Sequence, residues 1–195
     1  MFTGIVDDLG VVANIAKFDD YWDISISSNF DEINLGESIS VNGVCLTVSS
    51  IDELTLNFQI ISETLNVSSL DLLKVGDKVN LERSMMLHNR IDGHLVQGHV
   101  ESIGKMISKT SLDGETKVKI KVDKNIMKYC IYKGSITIDG ISLTISNLGE
   151  NFIDICVIPY TLDNTTLGYK EPGSFLNIET DMIAKYVEKQ MDSRK

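Results

Sequence analysis

The strongest constraint on this chain is that it repeats itself. Residues 40–48 read Ser40-Val-Asn-Gly-Val-Cys-Leu-Thr-Val48, and 97 residues later Thr137-Ile-Asp-Gly-Ile-Ser-Leu-Thr-Ile145 follows the same pattern. Two further blocks keep that spacing: Ile61 to Leu70 against Ile158 to Leu167, and Gly76 to Glu82 against Gly173 to Glu179. Phe2-Thr-Gly-Ile-Val6 aligns with Val96-Gln-Gly-His-Val100 at an offset of 94. A period this long is a domain duplication, because solenoid repeats run to about 20–50 residues. The chain divides into homologous halves, 1–90 and 91–186, each long enough for a core of its own.

Within each half the texture is β. Asn42-Gly43 and Asp139-Gly140 reach positive φ at small cost, so each repeated phrase predicts two strand segments pivoting on a tight turn. Further β-branched runs lie at 11–15, 21–26, 54–61 and 78–81, then at 100–107, 116–122, 152–157 and 174–178. The two prolines, Pro159 and Pro172, fall between strand candidates, where a missing N–H does least harm. Six short antiparallel strands per half predict an all-β fold of two small closed or nearly closed barrels, which removes exposed edges. Short helical turns are expected at 66–73, 124–132 and 165–169.

The tail at 181–195 lacks alternation. Ile183, Val187 and Met191 fall four apart beside Met182 and Tyr186, which predicts an amphipathic helix opening on Asp181 and closing on basic residues. It packs on its own barrel or presents its apolar stripe to another copy.

Composition excludes several classes. A formal charge of −10 argues against a nucleic-acid surface, which needs a basic stripe. No apolar run approaches the roughly 18 residues of a membrane span, and the first residues lack the basic and apolar regions of a signal peptide. Cys45, Cys130 and Cys156 have no close spacing, so they give neither a disulfide framework nor a zinc knuckle. A cytoplasmic location is expected.

Candidate chemistry lies where the halves differ. His99, in Gly93-His-Leu-Val-Gln-Gly-His-Val100, stands opposite Ile5, with glycines beside it that let a ligand or backbone come close. A structural histidine is the plain alternative. A metal site is not expected: His94 and His99, five apart, point to opposite faces of a continuous strand, and His88 sits in a polar loop. Cys45 stands opposite Ser142. It shares a strand face with Thr47, as Ser142 does with Thr144, and such small side chains line a polar pocket or fill a tapering barrel. Ser38 can reach the same site across the turn. Gly-x-Ser-x-Gly, Walker and Rossmann patterns are absent from the sequence. The residues alone thus describe a duplicated barrel with a related, unequal pocket on each half, His99 and Cys45 falling on opposite halves. Such modules bind one ligand each or bring two copies of one molecule together.

Met1-Phe-Thr-Gly-Ile-Val6, Asn42-Gly-Val-Cys-Leu-Thr-Val48, Gly93-His-Leu-Val-Gln-Gly-His-Val100, Ile138-Asp-Gly-Ile-Ser-Leu-Thr-Ile145 and Thr165-Thr-Leu-Gly168 resemble the riboflavin synthase alpha-chain family. The resemblance covers almost the whole chain. It implies two six-stranded Greek-key barrels in tandem followed by a C-terminal helix, at 181–195, through which three subunits associate. The implied activity is a dismutation of two 6,7-dimethyl-8-ribityllumazine molecules into riboflavin and 5-amino-6-ribitylaminouracil, without metal or redox cofactor, at sites formed between neighbouring subunits. Ser38, Cys45 and His99 fall on positions the family associates with catalysis. The implied N-terminal pocket uses Gly4, Ile5, Val6, Cys45, Leu46, Thr47, Gln59, Ile60, Ile61, Ser62, Glu63 and Thr64. The implied C-terminal pocket uses Gly98, His99, Val100, Lys133, Ser142, Leu143, Thr144, Cys156, Val157, Ile158, Pro159, Tyr160 and Thr161. The lumazine C7 methyl is acidic because its carbanion delocalises over the ring; imidazole is a proton shuttle suited to it. Cys45, Ser38 or an activated water would add at C7 of the second ring. Val44, where many relatives have cysteine, implies a packing change only. A lumazine synthase shell is a further partner compatible with the resemblance. Lumazine proteins, which bind the fluorophore without turnover, are the alternative within the same fold.

Overall fold

The repeated phrases fold as their dipeptides require. Asn42 and Gly43 have φ of 45° and 81°, Asp139 and Gly140 46° and 80°, both residues of each turn being left-handed as a two-residue hairpin demands. The turns join β3 (Ser38–Val41) to β4 (Val44–Asp52), and β9 (Ser135–Ile138) to β10 (Ile141–Leu148). The structure is a computed structural model that describes residues 1–112 and 114–192. With β1 (Asp8–Lys17), β2 (Tyr21–Ser27), β5 (Thr55–Ile61) and β6 (Lys78–Arg83), the first half closes into an antiparallel barrel in the order β1-β2-β5-β4-β3-β6. The second adds β7 (Ser102–Leu112), β8 (Glu115–Lys121), β11 (Phe152–Val157) and β12 (Phe175–Thr180), and its equivalent strands close in the same order. Register shifts fall at matching places, between Val12 and Asn14 and between Met106 and Ser108. They are the bulges that let short strands bend round a barrel.

Alternation fills each barrel. Leu56, Phe58 and Ile60 of β5 point inward with Ile24, Ile26, Val79 and Leu81, and Ile153, Ile155 and Val157 of β11 do the same with Val118, Ile120, Leu176 and Ile178. Val44 is also buried in the first core. The short helices begin earlier than the expected turns at 66–73 and 165–169. They are α1 (Ser62–Val67) and α3 (Pro159–Asp163), each followed by a 3-10 turn, Ser69–Leu72 and Thr166–Gly168, with α2 (Lys124–Met127) between. Ile61 and Ile158 occupy the cap positions of α1 and α3 without a side-chain cap bond, so no Ser, Asp or Asn marks the change from strand to helix. The tail forms α4 (Met182–Asp192), none of whose residues is buried; residues 193–195, its expected basic end, lie outside the described residues.

A pseudo-twofold network joins the barrels. The Asn80 N–H donates to Asn42 Oδ1 (2.8 Å), its Nδ2 donates to the Asp139 carbonyl (2.8 Å), and its Oδ1 accepts from the Thr166 N–H (2.7 Å). Asn177 mirrors it with the Asp139 carboxylate (2.7 Å), the Asn42 carbonyl (2.8 Å) and the Ser69 N–H (2.7 Å). Asn80→Ala strands the Thr166 N–H and the Asp139 carbonyl in a buried interface, and is expected to cost about 2–4 kcal/mol. Urea unfolding measures this, and a loss under about 0.5 kcal/mol contradicts it. The symmetry fails at one atom: among the described residues Asp139 Oδ2 has no hydrogen-bond partner, although Lys170 Nζ lies 3.8 Å away. Burial pushes the Asp139 carboxyl up to about 6.

Candidate active site

Two peptide segments outside the barrels build the pockets, and each is held by a buried carboxylate. Glu82, at the end of β6, accepts hydrogen bonds from the Thr3 N–H (2.6 Å), the Thr3 hydroxyl (2.9 Å) and the Gly4 N–H (3.0 Å). Glu179, at the end of β12, accepts from the N–H groups of Gln97 (2.7 Å), Gly98 (2.9 Å) and His99 (2.9 Å). Burial pushes the Glu82 carboxyl up to about 7 against the pull of those donors, and moves Glu179 in the same direction. The carbonyl of each segment then crosses to the other barrel: Gly4 O accepts from the Ser142 N–H (2.7 Å), and Gly98 O accepts from the Cys45 N–H (2.9 Å). Phe2 and Val96 form an isolated bridge between the segments.

This crossing corrects the pocket assignment expected from sequence. Gly98, His99 and Val100 lie with Val44, Cys45, Glu63, Thr64, Val67 and Ser68 around a first pocket of about 230 Å³. Gly4, Ile5 and Val6 lie with Ile141, Ser142, Tyr160, Thr161, Asn164 and Thr165 around a second pocket of about 480 Å³. His99 and Cys45 therefore wall one pocket, whereas the sequence placed them on opposite halves. The alignment of halves identifies equivalent residues, but it does not reveal that each segment stitches the barrels by its donors on one side and its carbonyl on the other. The expected strand geometry between His94 and His99 is also absent, since Gly98 turns the backbone to φ +79°.

Ser38 faces Thr47 across β3 and β4, and Ser40 faces Cys45. Ser38 is thus one cross-strand pair beyond Cys45 on the same face, outside the pocket lining. Strand parity sorts the remaining expected residues. Leu46, Ile60 and Val157 are buried in the cores and Leu143 packs against one, so their side chains turn into the barrels. Thr47, Gln59, Ile61, Ser62, Thr144, Cys156, Ile158 and Pro159 are exposed and outside the lining of both pockets. Lys133 is exposed at φ 63°, its N–H donating to the Ile145 carbonyl (2.9 Å).

Sequence reasoning overlooked the two glutamates, although both stand at the end of a repeated block, where a carboxylate retained in both copies of a buried strand is a readable signal. It also left His94 without a part. That ring is half-buried, with Nδ1 2.7 Å from Ser142 Oγ and Nε2 3.2 Å from Thr137 Oγ1. Among the described residues no group of three or more His, Cys, Asp or Glu side chains could hold a metal ion, and no helix is long and apolar enough to cross a membrane.

A chain with two such barrels falls in a known class. The lumazine binding domain matches it twice, over residues 3–84 and 97–181. It is 40% identical to the riboflavin synthase of Actinobacillus pleuropneumoniae over 96% of this chain and 88% of that one. It is likewise 40% identical to the riboflavin synthase of Mycobacterium tuberculosis (strain ATCC 25618 / H37Rv) over 99% of both chains. Its fold superposes on LumP complexed with riboflavin at a TM-score of 0.86 and 29% identity, covering 93% of this chain and all of that one. LumP complexed with 6,7-dimethyl-8-(1'-D-ribityl) lumazine gives 0.83 and 30%, covering 93% and 99%. The chain belongs to the lumazine-binding family that includes the riboflavin synthases.

Proposed function

We propose that this chain is a riboflavin synthase, converting two molecules of 6,7-dimethyl-8-ribityllumazine into riboflavin and 5-amino-6-ribitylaminouracil. The observation that carries the reading is the pair of pockets built on one plan with different side chains: Cys45 and His99 in the first, Ser142 and Ile5 in the second. Two identical substrates that must play different parts need two related, unequal sites. The reaction moves a four-carbon unit from one lumazine to the other, and the two products together contain all the atoms of the two substrates, so no oxidant or reductant enters.

His99 serves as the proton shuttle for the acidic C7 methyl, and Cys45, Ser38 or an activated water adds at C7 of the second ring. Cys45 is favoured over Ser38 by position, since it lines the first pocket and so faces the ring bound there. His99, exposed at the rim of that pocket, serves the C7 methyl of the ring presented by the second pocket of a neighbouring subunit. Orientation of the two rings supplies much of the rate. The partner ring is supplied by a neighbouring subunit in a homotrimer. That reading is supported by α4, whose Ile183, Tyr186, Val187 and Met191 are each more than half exposed. A cytoplasmic enzyme is the setting that fits, with a lumazine synthase shell as a further partner.

Binding without turnover is the second reading, supported by the likeness to LumP. Against it stand Gly98 and His99 in the first pocket and Ser142 in the second, which keep both pockets furnished. Purified protein given only the lumazine is expected to accumulate riboflavin and 5-amino-6-ribitylaminouracil one for one. Tight binding with no riboflavin by chromatography hands the case to the second reading.

A further inference from the structure

Under the reading that lumazine binds in both pockets, on which this inference rests, His94 has no assigned task. It lies outside the aligned blocks of the two halves, which open with Phe2 against Val96. Its main chain is pinned: the His94 N–H donates to the Thr3 carbonyl (3.1 Å). Gly93 before it lies so close to its neighbours that a Cβ would meet Thr3 O at 2.1 Å and Ser142 Oγ at 2.9 Å. The ring stands behind Ser142 and outside the pocket, bridging Ser142 and Thr137, which face each other across β10 and β9. Thr137 is 1% exposed, so the far end of the bridge is fixed in the interior. The first barrel sets Ser40 opposite Cys45 in the same register, without an imidazole.

Burial lowers the proton affinity of His94, opposed by the charge of Asp181. The neutral ring that this favours has one N–H and one bare nitrogen. The hydroxyl–imidazole–hydroxyl chain then has two senses. In one, Nε2 donates to Thr137 and Nδ1 takes the Ser142 hydrogen. In the other, Thr137 donates to Nε2, Nδ1 donates to Ser142 Oγ, and the Ser142 hydrogen remains for the pocket. Loss of a proton from the lumazine C7 methyl spreads negative charge over the ring, and only the second sense offers that charge a donor. A donor fixed in advance is worth more than one that must reorient.

We propose that His94 is a positioning residue for Ser142, holding its hydroxyl as a hydrogen-bond donor to the anionic form of the lumazine ring in the second pocket. The test follows the absorbance of bound lumazine as pH rises, in the full chain and in Ser142→Ala, His94→Leu and His94→Asn. The two bound rings ionise in two steps, and the step that Ser142→Ala moves belongs to the second pocket. His94→Leu is expected to raise the midpoint of that step by about one pH unit, as Ser142→Ala does. His94→Asn, whose amide nitrogen stands near the former Nδ1, recovers at least half of the shift. The other step stays in place and reports an intact fold. Where His94→Leu does not fold, His94→Gln, with no donor at the Nδ1 position, replaces it.

The proposal is overturned if Ser142→Ala moves neither step, if His94→Leu leaves the second-pocket step at its wild-type midpoint, or if the asparagine recovers nothing. Wild-type protein that binds two lumazines but forms no riboflavin removes the enzyme reading and leaves this test intact. Wild-type protein that binds none removes both.

Discussion

Gly98→Ala is expected to empty the first pocket and lower turnover about a hundredfold or more. Gly98 holds φ +79°, and a Cβ there would lie 2.6 Å from Cys45 Cβ and 2.9 Å from Cys45 N. Neither neighbour yields easily, because Cys45 is a paired residue of β4 whose N–H donates to the Gly98 carbonyl. The segment must move away, and His99 goes with it. Gly4→Ala repeats the experiment on the other side: φ +76°, with a Cβ 2.6 Å from Ser142 Cβ and 2.8 Å from Ser142 N. Each variant is expected to bind one lumazine per chain where the wild type binds two, by fluorescence titration, and both lose turnover because the reaction consumes a pair. Retention of two binding sites in either variant refutes the segment-crossing account of the pockets.

The fold was legible because its signals are local and doubled. Asn42-Gly43 and Asp139-Gly140 announce hairpins by backbone chemistry, and alternation in 54–61 and 152–157 sorts inward from outward residues without knowledge of the partner strand. Closure was legible too, since six short strands in each half leave little else that hides every edge. The non-sequential order β1-β2-β5-β4-β3-β6 was not, because closure alone also allows a simple meander. The pairing of pocket walls was not legible. It depends on where Gly4 and Gly98 place their carbonyls, and a carbonyl has no letter in the sequence. Even so, the glutamates that hold those segments were visible, as Glu82 and Glu179 close the same repeated block. A carboxylate that is 5% or 2% exposed needs several donors, and the unpaired N–H groups of a segment outside any strand are the donors to expect. Ser142 and His94 illustrate the opposite limit. Their contact joins residues 48 apart whose spacing fits no helix or strand, so only the folded chain brings them together.

His99→Ala is expected to lower kcat by about 10²–10⁴-fold, the usual worth of a positioned general acid–base group, while first-pocket affinity for lumazine changes only a few-fold. The separation follows from the contacts His99 makes. The His99 contact with Glu179 is made by the main-chain N–H and survives the substitution. Its side chain is exposed at the pocket rim, so truncation opens no cavity in a core and leaves no buried group unpaired. Affinity rests on the walls that remain, among them Cys45, Thr64 and Val100. A loss confined to kcat is the signature of a group that acts in the transition state and little in the ground state. Steady-state turnover measured beside lumazine titration separates the two quantities. Unchanged turnover removes His99 from the chemistry. Equal loss of binding and turnover makes it a wall of the pocket, and the proton shuttle must then be sought among the groups that face the ring from the neighbouring subunit.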